Sequence, residues 1–295
     1  MASIERVVVL GSSGFIGQHL VDQLRTRHRG LDLVRQSLSE VDFADTVSRT
    51  EFTNLFDKST AVVMLSGIKR QFGDNLDVFG KNLQIVENVC EALVDQPVGR
   101  LIYFSSAAVY GEDIHNESID EKTSPEPTSY YGLAKFTGER LLWKACEQNG
   151  QTELLCLRPP LVYGPGDPDD TYGPVGFTKK AVRGEEIVTW GDGTELREFM
   201  YVRDVADLTA RLIVSDAQGV LNLASGASRT FADVLSTLEE LGMRHTVSRR
   251  ERTKSRVDNV FDPSLLLSLV PGYEFTSLSR GINDTLASLT SEEED

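Results

Sequence analysis

Short apolar runs alternate along the first half of the chain with longer segments whose apolar residues recur every three or four positions. The runs are typical of strands buried on both faces, and the longer period is typical of helices that pack on a sheet. The predicted strands are Arg6–Leu10, Leu31–Val34, Ala61–Leu65, Leu101–Phe104 and Leu154–Leu157. The predicted helices are Phe15–Arg27, Thr50–Phe56, Leu76–Leu93 and Tyr131–Gln148. This alternation predicts an α/β fold built on a doubly wound parallel sheet.

The texture of the chain changes after about Gly164, where turn-forming residues cluster and the elements become shorter. The segments predicted there are a loop at Gly164–Asp170, a turn at Gly191–Thr194, a strand at Val220–Leu223 and a helix at Phe231–Leu241. We therefore predict a large domain over residues 1–163 and a smaller C-terminal lobe over residues 164–295. Part of that lobe, near residues 196–224, is expected to return and complete the sheet.

Composition and charge narrow the possible partners. The chain has 295 residues and a formal net charge of −15, which argues against nucleic acid or an anionic membrane as a partner. No apolar run approaches the roughly 18 residues needed to span a bilayer, and the first strand begins too early to leave room for a signal peptide. The three cysteines are odd in number and lack metal-ligand spacing. We expect a cytoplasmic protein with reduced thiols and no metal site.

A glycine-rich loop, Gly-Ser-Ser-Gly-Phe-Ile-Gly, follows the first predicted strand and opens the first helix. Its glycines permit a tight turn, close approach of the backbone to a pyrophosphate, and close packing of helix on strand. The helix N-terminus supplies free N–H groups and the positive end of the helix dipole. We predict that a dinucleotide cofactor is bound there by Gly11, Ser12, Ser13, Gly14, Phe15, Ile16 and Gly17.

The residue at the end of the second strand commonly selects the cofactor. A carboxylate there binds the ribose hydroxyls of NAD, whereas an arginine binds the 2′-phosphate of NADP. The residue here is Arg35, which favours NADP(H). NAD(H) stays possible, because Asp32 lies earlier in the same strand and Arg35 could simply face solvent. Asp42 and Phe43 are expected to border the adenine pocket.

A tyrosine and a lysine lie one helical turn apart, and a pair of serines precedes them. Tyr131 and Lys135 share one helix face, where a lysine cation favours the phenolate of a tyrosine whose ordinary pKa is about 10. The pair could therefore transfer a proton at a hydroxyl or ketone oxygen. Ser106 ends a predicted strand, and its hydroxyl could bind the same oxygen, although a serine pair could also merely cap a turn.

Several segments, in this order, resemble the extended short-chain dehydrogenase/reductase family, in its branch of nucleotide-sugar epimerases, dehydratases and ketoreductases. The resemblance covers about residues 4–285. The matching segments are Gly11–Gly17, Met64–Gly67, Phe104–Gly111, Tyr131–Lys135, Leu157–Gly166, Gly191–Ala206 and Gly219–Gly226.

The resemblance implies a Rossmann-like fold, with the C-terminal lobe binding the substrate, and a mechanism. Tyr131 would be the acid and base, Lys135 would lower its pKa and hold the nicotinamide ribose, and Ser106 would polarise the substrate oxygen. Hydride would pass between the nicotinamide and a hexose carbon, usually C4. Further cofactor contacts are implied at Leu65, Ser66, Gly67, Ser105, Pro159 and Leu161.

The resemblance also implies that Arg197 and Arg256 bind the diphosphate of a nucleotide sugar. Guanidinium groups suit that task because they bind phosphate in a bidentate manner. The alternative is a solvated basic face that includes other nearby basic residues. Family members commonly form homodimers, which here would use the helices at 76–93 and 131–148.

Departures from the family pattern limit the reaction. Ala107 and Ala108 stand where the dehydratases carry an acidic pair, which argues against a 4,6-dehydratase. Leu161 replaces a usual asparagine near the nicotinamide. Arg35 and the short segment after it favour a reductase that consumes NADPH over an epimerase. Two further hypotheses stay open: a carbonyl reductase for a non-sugar ketone, and a catalytically silent NAD(P)-binding regulator.

Overall fold

The computed structural model describes residues 3–37, 53–170, 172–252 and 255–292. It forms two compact units. The first comprises Met1–Glu112, Thr123–Pro159 and Ala206–Asn222. The second comprises Asp113–Lys122, Pro160–Val205 and Leu223–Asp295.

The elements follow one another along the described residues in the order of their numbers. The strands are β1 (Arg6–Leu10), β2 (Asp32–Gln36), β3 (Thr60–Met64), β4 (Arg100–Phe104), β5 (Asn116–Ile119), β6 (Glu153–Arg158), β7 (Leu161–Tyr163), β8 (Glu186–Trp190), β9 (Leu196–Arg197), β10 (Phe199–Tyr201), β11 (Gly219–Asn222), β12 (Arg229–Thr230), β13 (Thr246–Arg250) and β14 (Asn259–Phe261). The helices are α1 (Phe15–Arg27), α2 (Leu76–Asp95), α3 (Tyr130–Asn149), α4 (Gly173–Arg183), α5 (Val202–Leu212), α6 (Phe231–Glu240), α7 (Ser264–Leu269) and α8 (Leu278–Glu292).

A six-stranded parallel sheet organises the first unit, with strand order β11-β6-β4-β3-β1-β2. Every residue of β3 and β4 is buried, which explains their unbroken apolar runs in the sequence. The predicted α/β fold with a parallel sheet is thereby confirmed. The predicted strands and helices of this unit recur with nearly the same bounds. Of the helix predicted at Thr50–Phe56, residues 50–52 lie outside the described residues, Thr53 is helical, and residues 54–56 are not.

Two long helices, α2 and α3, pack against each other and against this sheet. Their inward side chains, such as Ile85, Val89 and Leu142, join strand residues in one buried cluster. Each such side chain contributes about 1.5–3 kcal/mol through its removal from water. Helix α3 begins where Ser129 accepts a hydrogen bond from Gly132 N–H, and it ends at Gly150 in the left-handed conformation. The homodimer predicted through these two helices stays a prediction.

The second unit contains short two-stranded ladders, β10-β7, β12-β9, β13-β8 and β14-β5. Its interior includes aromatic rings in tilted and edge-to-face contact. Phe231 lies 4.4 Å from Tyr172, 5.5 Å from Phe199 and 6.0 Å from Phe177, measured between ring centroids. Helix α6 begins with a capping box, in which Thr230 and Asp233 bond each other's backbone N–H groups. These contacts stabilise the interior of the second unit.

Neither a membrane-spanning helix nor a disulfide is found in the part of the chain that the structure describes. Its helices are too short or too polar to cross a bilayer. The three cysteines are free, and Cys146 and Cys156 are buried whereas Cys90 is half-buried. Burial raises the pKa of the Cys146 thiol to about 12, so that this thiol stays protonated at neutral pH.

Candidate active site

The glycine loop is anchored to the carboxyl end of β2. The backbone carbonyl of Gln36 accepts hydrogen bonds from Gly11 N–H at 2.8 Å and from Ser12 N–H at 3.0 Å. The Ser12 hydroxyl donates to the same carbonyl at 3.1 Å. No sequence pattern pointed to Gln36, because it acts through its backbone.

Two of the loop glycines, Gly11 and Gly17, leave no space for a side chain. A Cβ on Gly17 would lie 2.2 Å from the carbonyl oxygen of Gly11, and a Cβ on Gly11 would lie 3.0 Å from Ser66 N. Gly11 also has a φ of +91°, which favours glycine. Gly14 caps α1 without any side-chain hydrogen bond, and the first turn of α1 has no acidic residue. The backbone N–H groups of that turn therefore suit an anion.

The loop lies where the strand order of the sheet reverses. β1 pairs with β2 on one side and with β3 on the other, so that the segments after β1 and β3 meet. The segment after β3 contains Leu65, Ser66 and Gly67. The Ser66 hydroxyl is buried and, among the described residues, has no hydrogen-bond partner. The space beside Gly11 and Gly17 would be filled by a Cβ, and the Ser66 hydroxyl lies next to it. This space suits the phosphates of a dinucleotide.

Two charged residues of β2 occupy opposite ends of that strand. Arg35 is exposed, one residue before the carboxyl end, and pairs in register with Val9. Asp32 begins the strand and accepts a hydrogen bond from Arg6 Nε at 2.8 Å. Ligands of parallel sheets bind at the carboxyl ends of the strands, so Arg35 is the better placed of the two. Asp42 and Phe43 lie outside the described residues.

The structure brings Ser106, Tyr131 and Lys135 together at the carboxyl end of β4. Ser106 caps a single 3-10 turn at Ala107–Tyr110, where its hydroxyl accepts a hydrogen bond from Ala108 N–H, and its side chain also lies close enough to the Tyr131 hydroxyl to lower its pKa. The ammonium of Lys135 lies 5.8 Å from the centre of the Tyr131 ring. It donates a hydrogen bond of 2.8 Å to the carbonyl oxygen of Phe104. The serine therefore both caps a turn and faces the tyrosine.

Burial moves the two titrating groups in opposite directions. Burial raises the pKa of Tyr131 to about 12, while the nearby Ser106 side chain opposes this rise and the carboxylate of Glu112 adds to it. Burial lowers the pKa of Lys135 to about 8, against the carboxylate of Glu139, which raises it. At neutral pH the tyrosine is thus a neutral phenol and the lysine is mostly charged.

Close packing fixes the helix that carries the tyrosine and lysine. A Cβ on Gly132 would lie 2.5 Å from the carbonyl oxygen of Ala108, so α3 rests directly on the turn that Ser106 caps. Asn82 of α2 accepts from the N–H of Ile68 at 2.8 Å and donates to its carbonyl at 3.1 Å. This amide fixes the segment beside Gly67, where a Cβ would lie 3.2 Å from Lys135 Nζ.

Beneath the site is a buried ion pair that the sequence analysis missed. Arg158 donates from Nε to Glu139 Oε1 at 2.9 Å and from Nη2 to Oε2 at 2.6 Å. Ser105, expected at the cofactor, is buried and donates to Glu139 Oε1 at 2.5 Å. The position of Glu139 in the sequence could have indicated it, because Glu139 follows Lys135 by four residues and so shares its helix face.

The remaining predicted site residues belong to different parts of the chain. Pro159 is buried in the first unit, and its carbonyl accepts a hydrogen bond from Ala107 N–H at 2.9 Å. Leu161 lies in β7 of the second unit and is exposed.

Both predicted substrate arginines lie in the second unit. Arg197 is bound by Glu195 and by the carbonyl oxygen of Val257. Arg256 is 51% exposed and pairs with Asp258, at 3.0 Å between Nη2 and Oδ2. Arg256 is the more accessible of the two for a ligand.

Residues 7–224 match the model of the NAD dependent epimerase/dehydratase family. A dTDP-4-dehydro-6-deoxy-D-allose reductase of a Streptomyces species is 31% identical over 293 residues, which cover 89% of this chain and 88% of the reductase. A UDP-glucose epimerase of Bacillus subtilis, itself described as uncharacterized, is 25% identical and covers 97% of this chain and 98% of its own length. Among solved structures, the UDP-glucose 4-epimerase of Thermus thermophilus in complex with NAD has a TM-score of 0.83 and 26% identity, covering 97% of this chain and 99% of the epimerase.

Proposed function

The chain belongs to the NAD dependent epimerase/dehydratase family, and on this premise we propose that it is an NAD(P)-dependent enzyme that acts at C4 of the hexose in a nucleotide-diphosphate sugar. The observation that carries the proposal is that the Ser106 side chain and the Lys135 ammonium both lie beside Tyr131. The cofactor fits the glycine loop at the reversal of strand order.

The chemistry divides between these three side chains. The nicotinamide cofactor, when bound, donates or accepts the hydride. Tyr131 gives a proton to the reacting oxygen in reduction and takes one from it in oxidation. The Ser106 hydroxyl donates a hydrogen bond to the same oxygen and stabilises the charge that develops there. Lys135, charged at neutral pH, stabilises the tyrosine when it has lost its proton.

Reduction of a ketone is the direction that the protein's own groups favour. Tyr131 is a neutral phenol at neutral pH, because its pKa is raised to about 12. A neutral phenol is ready to donate a proton, as a 4-ketoreductase requires. An epimerase needs both directions in turn and stays the alternative within the same site.

The second unit is proposed to hold the diphosphate through Arg256, with Arg197 as a less accessible candidate. The exposed guanidinium of Arg256 has five N–H donors, only some of which are used by Asp258. Phosphate oxygens could take the others in a charge-assisted contact.

The test of this function is a thermal-shift screen of UDP-, dTDP-, GDP- and CDP-sugars with either cofactor present. We expect one nucleotide class to raise the melting temperature by several degrees at about a hundred times its Kd. The free sugar at the same concentration is the control and should produce no shift. In Arg256→Ala the sugar-nucleotide shift should shrink while the cofactor shift persists. If none of the four classes shifts the protein, a non-sugar ketone becomes the better substrate.

Arg35 is proposed to select NADP(H). We expect Arg35→Ala to weaken NADPH by about 10- to 100-fold and to leave NADH nearly unchanged, because a charge-assisted bond to phosphate contributes about 1.5–3 kcal/mol. Fluorescence titration of each reduced cofactor measures both constants. Arg25→Ala, which removes another exposed arginine of this unit, should leave the ratio as it is. An unchanged ratio in Arg35→Ala would exclude the assignment.

A further inference from the structure

The ion pair between Glu139 and Arg158 is almost completely removed from water. Glu139 is 4% exposed and Arg158 is 3% exposed. Taking both ions out of water costs several kcal/mol for each, and neutral residues of the same volume often stabilise a protein equally well. Stability alone therefore does not explain why this pair is buried. The residues that the pair contacts suggest a second role.

Each member of the pair contacts the segment that carries Ser106. Glu139 accepts a hydrogen bond from Ser105, the residue before it in the chain. Arg158 donates from Nη1 to the hydroxyl of Tyr110 at 2.8 Å, and its guanidinium carbon lies 4.8 Å from the centre of that ring. Tyr110 ends the 3-10 turn that Ser106 caps. The pair thus holds both ends of the Ser106 segment.

Glu139 also provides the carboxylate that acts on Lys135. Glu139 follows Lys135 by four residues on α3 and so shares its helix face, and its carboxylate raises the pKa of Lys135. The Lys135 ammonium also lies 5.8 Å from the centre of the Tyr131 ring. From β4 it meets the ring of Tyr103 at 5.2 Å and the carbonyl of Phe104.

Among the described residues, no carboxylate other than that of Glu139 shifts the pKa of Lys135. The segment after β3 and helix α2 present Gly67 and the neutral amide of Asn82. In β6, burial raises the pKa of the Cys156 thiol, and the charge of Arg158 is bound by Glu139.

We propose that Glu139, fixed by Arg158, is a positioning residue that keeps the Lys135 ammonium charged and in place beside Tyr131. The inference rests on the proposed function, in which Lys135 supports Tyr131. Glu139 also positions Ser106, because its carboxylate accepts a hydrogen bond from Ser105, the residue before Ser106 at the end of the strand.

The direction of the effect follows from the two opposing influences on Lys135. Burial lowers the pKa of Lys135 to about 8, and the Glu139 carboxylate raises it. Removing the carboxylate leaves burial unopposed. Lys135, which stays protonated below about pH 8 in the native protein, then loses its proton at a lower pH.

The experiment is a pH titration of the protein labelled with ε-¹³C-lysine, followed by NMR, with the Lys135 signal assigned by its loss in Lys135→Met. We expect the midpoint of Lys135 in Glu139→Gln to fall by about one pH unit or more. Glu153→Gln is the matched control. It removes a carboxylate that pairs with buried Arg100 at 3.3 Å, at the other end of β6. Its Lys135 midpoint should equal that of the native protein.

A second variant covers the case in which Glu139→Gln does not fold with Arg158 left unpaired. Glu139→Gln/Arg158→Met removes both charges, and its Lys135 midpoint should also fall. A folded variant of either kind whose Lys135 titrates as in the native protein overturns the inference. Neither result depends on a substrate, so the proposed function stands or fails separately in the nucleotide-sugar screen.

Discussion

Replacing Tyr131 with phenylalanine is expected to lower turnover of the nucleotide sugar by about a hundred- to ten-thousand-fold, while cofactor affinity changes little. Phenylalanine keeps the aromatic ring near Lys135 but removes the proton that the reaction transfers. It also removes the hydroxyl that lies beside the Ser106 side chain in the native protein. Steady-state kinetics with the sugar from the binding screen, together with cofactor titration, separate the two effects.

The neighbouring tyrosine offers a matched control. Tyr130 is 43% exposed and packs at 6.2 Å from Phe79, measured between ring centroids. Tyr130→Phe removes an identical hydroxyl one residue away and should retain native turnover. If Tyr131→Phe were as active as the native protein, Tyr131 would have no part in proton transfer and the proposed mechanism would be wrong.

The first unit could be predicted from sequence because its signals are local. Strands buried on both faces, such as β3 and β4, have no polar side and so appear as unbroken apolar runs. Helix α1 begins at the glycine loop, which marks its start in the sequence. The second unit was harder, because strands such as β9 and β12 have two residues each, too few to show any periodicity.

The residues of the candidate site also differ in whether a local sequence pattern indicates them. Tyr131 and Lys135 were found from spacing within one helix, and Ser106 from its position at a strand end. The Glu139–Arg158 pair joins α3 to β6, and Gln36 acts through its backbone carbonyl. Such partners depend on which elements pack together, and one sequence does not contain that information in a local pattern.

The protonation state of Tyr131 could not be predicted from local spacing in the sequence. Spacing suggested that the Lys135 charge would favour the phenolate, and the two side chains do lie close. Burial has the larger influence, however, and raises the pKa of Tyr131 to about 12. The extent of burial depends on how α3 packs against its neighbours, which the sequence alone did not define.

Gly17→Ala is expected to weaken either cofactor by about a hundredfold or more, equivalent to about 2.7 kcal/mol of binding free energy. The new Cβ would lie 2.2 Å from the carbonyl oxygen of Gly11 and 2.9 Å from the carbonyl carbon of Ser12, so the loop or α1 must move. Forcing extra volume into such packing costs about 1–3 kcal/mol, and the melting temperature should therefore fall as well. Cofactor fluorescence titration and thermal unfolding measure the two losses.

Gly80→Ala is the control, because a Cβ at this exposed position in α2 meets no atom within 4 Å. Alanine favours a helix interior over glycine by about 1 kcal/mol, so this variant should keep native cofactor affinity and unfold at the same or a higher temperature. The comparison separates a general glycine effect from the specific need for space at Gly17. Native cofactor affinity in a folded Gly17→Ala protein would place the cofactor elsewhere than at this loop.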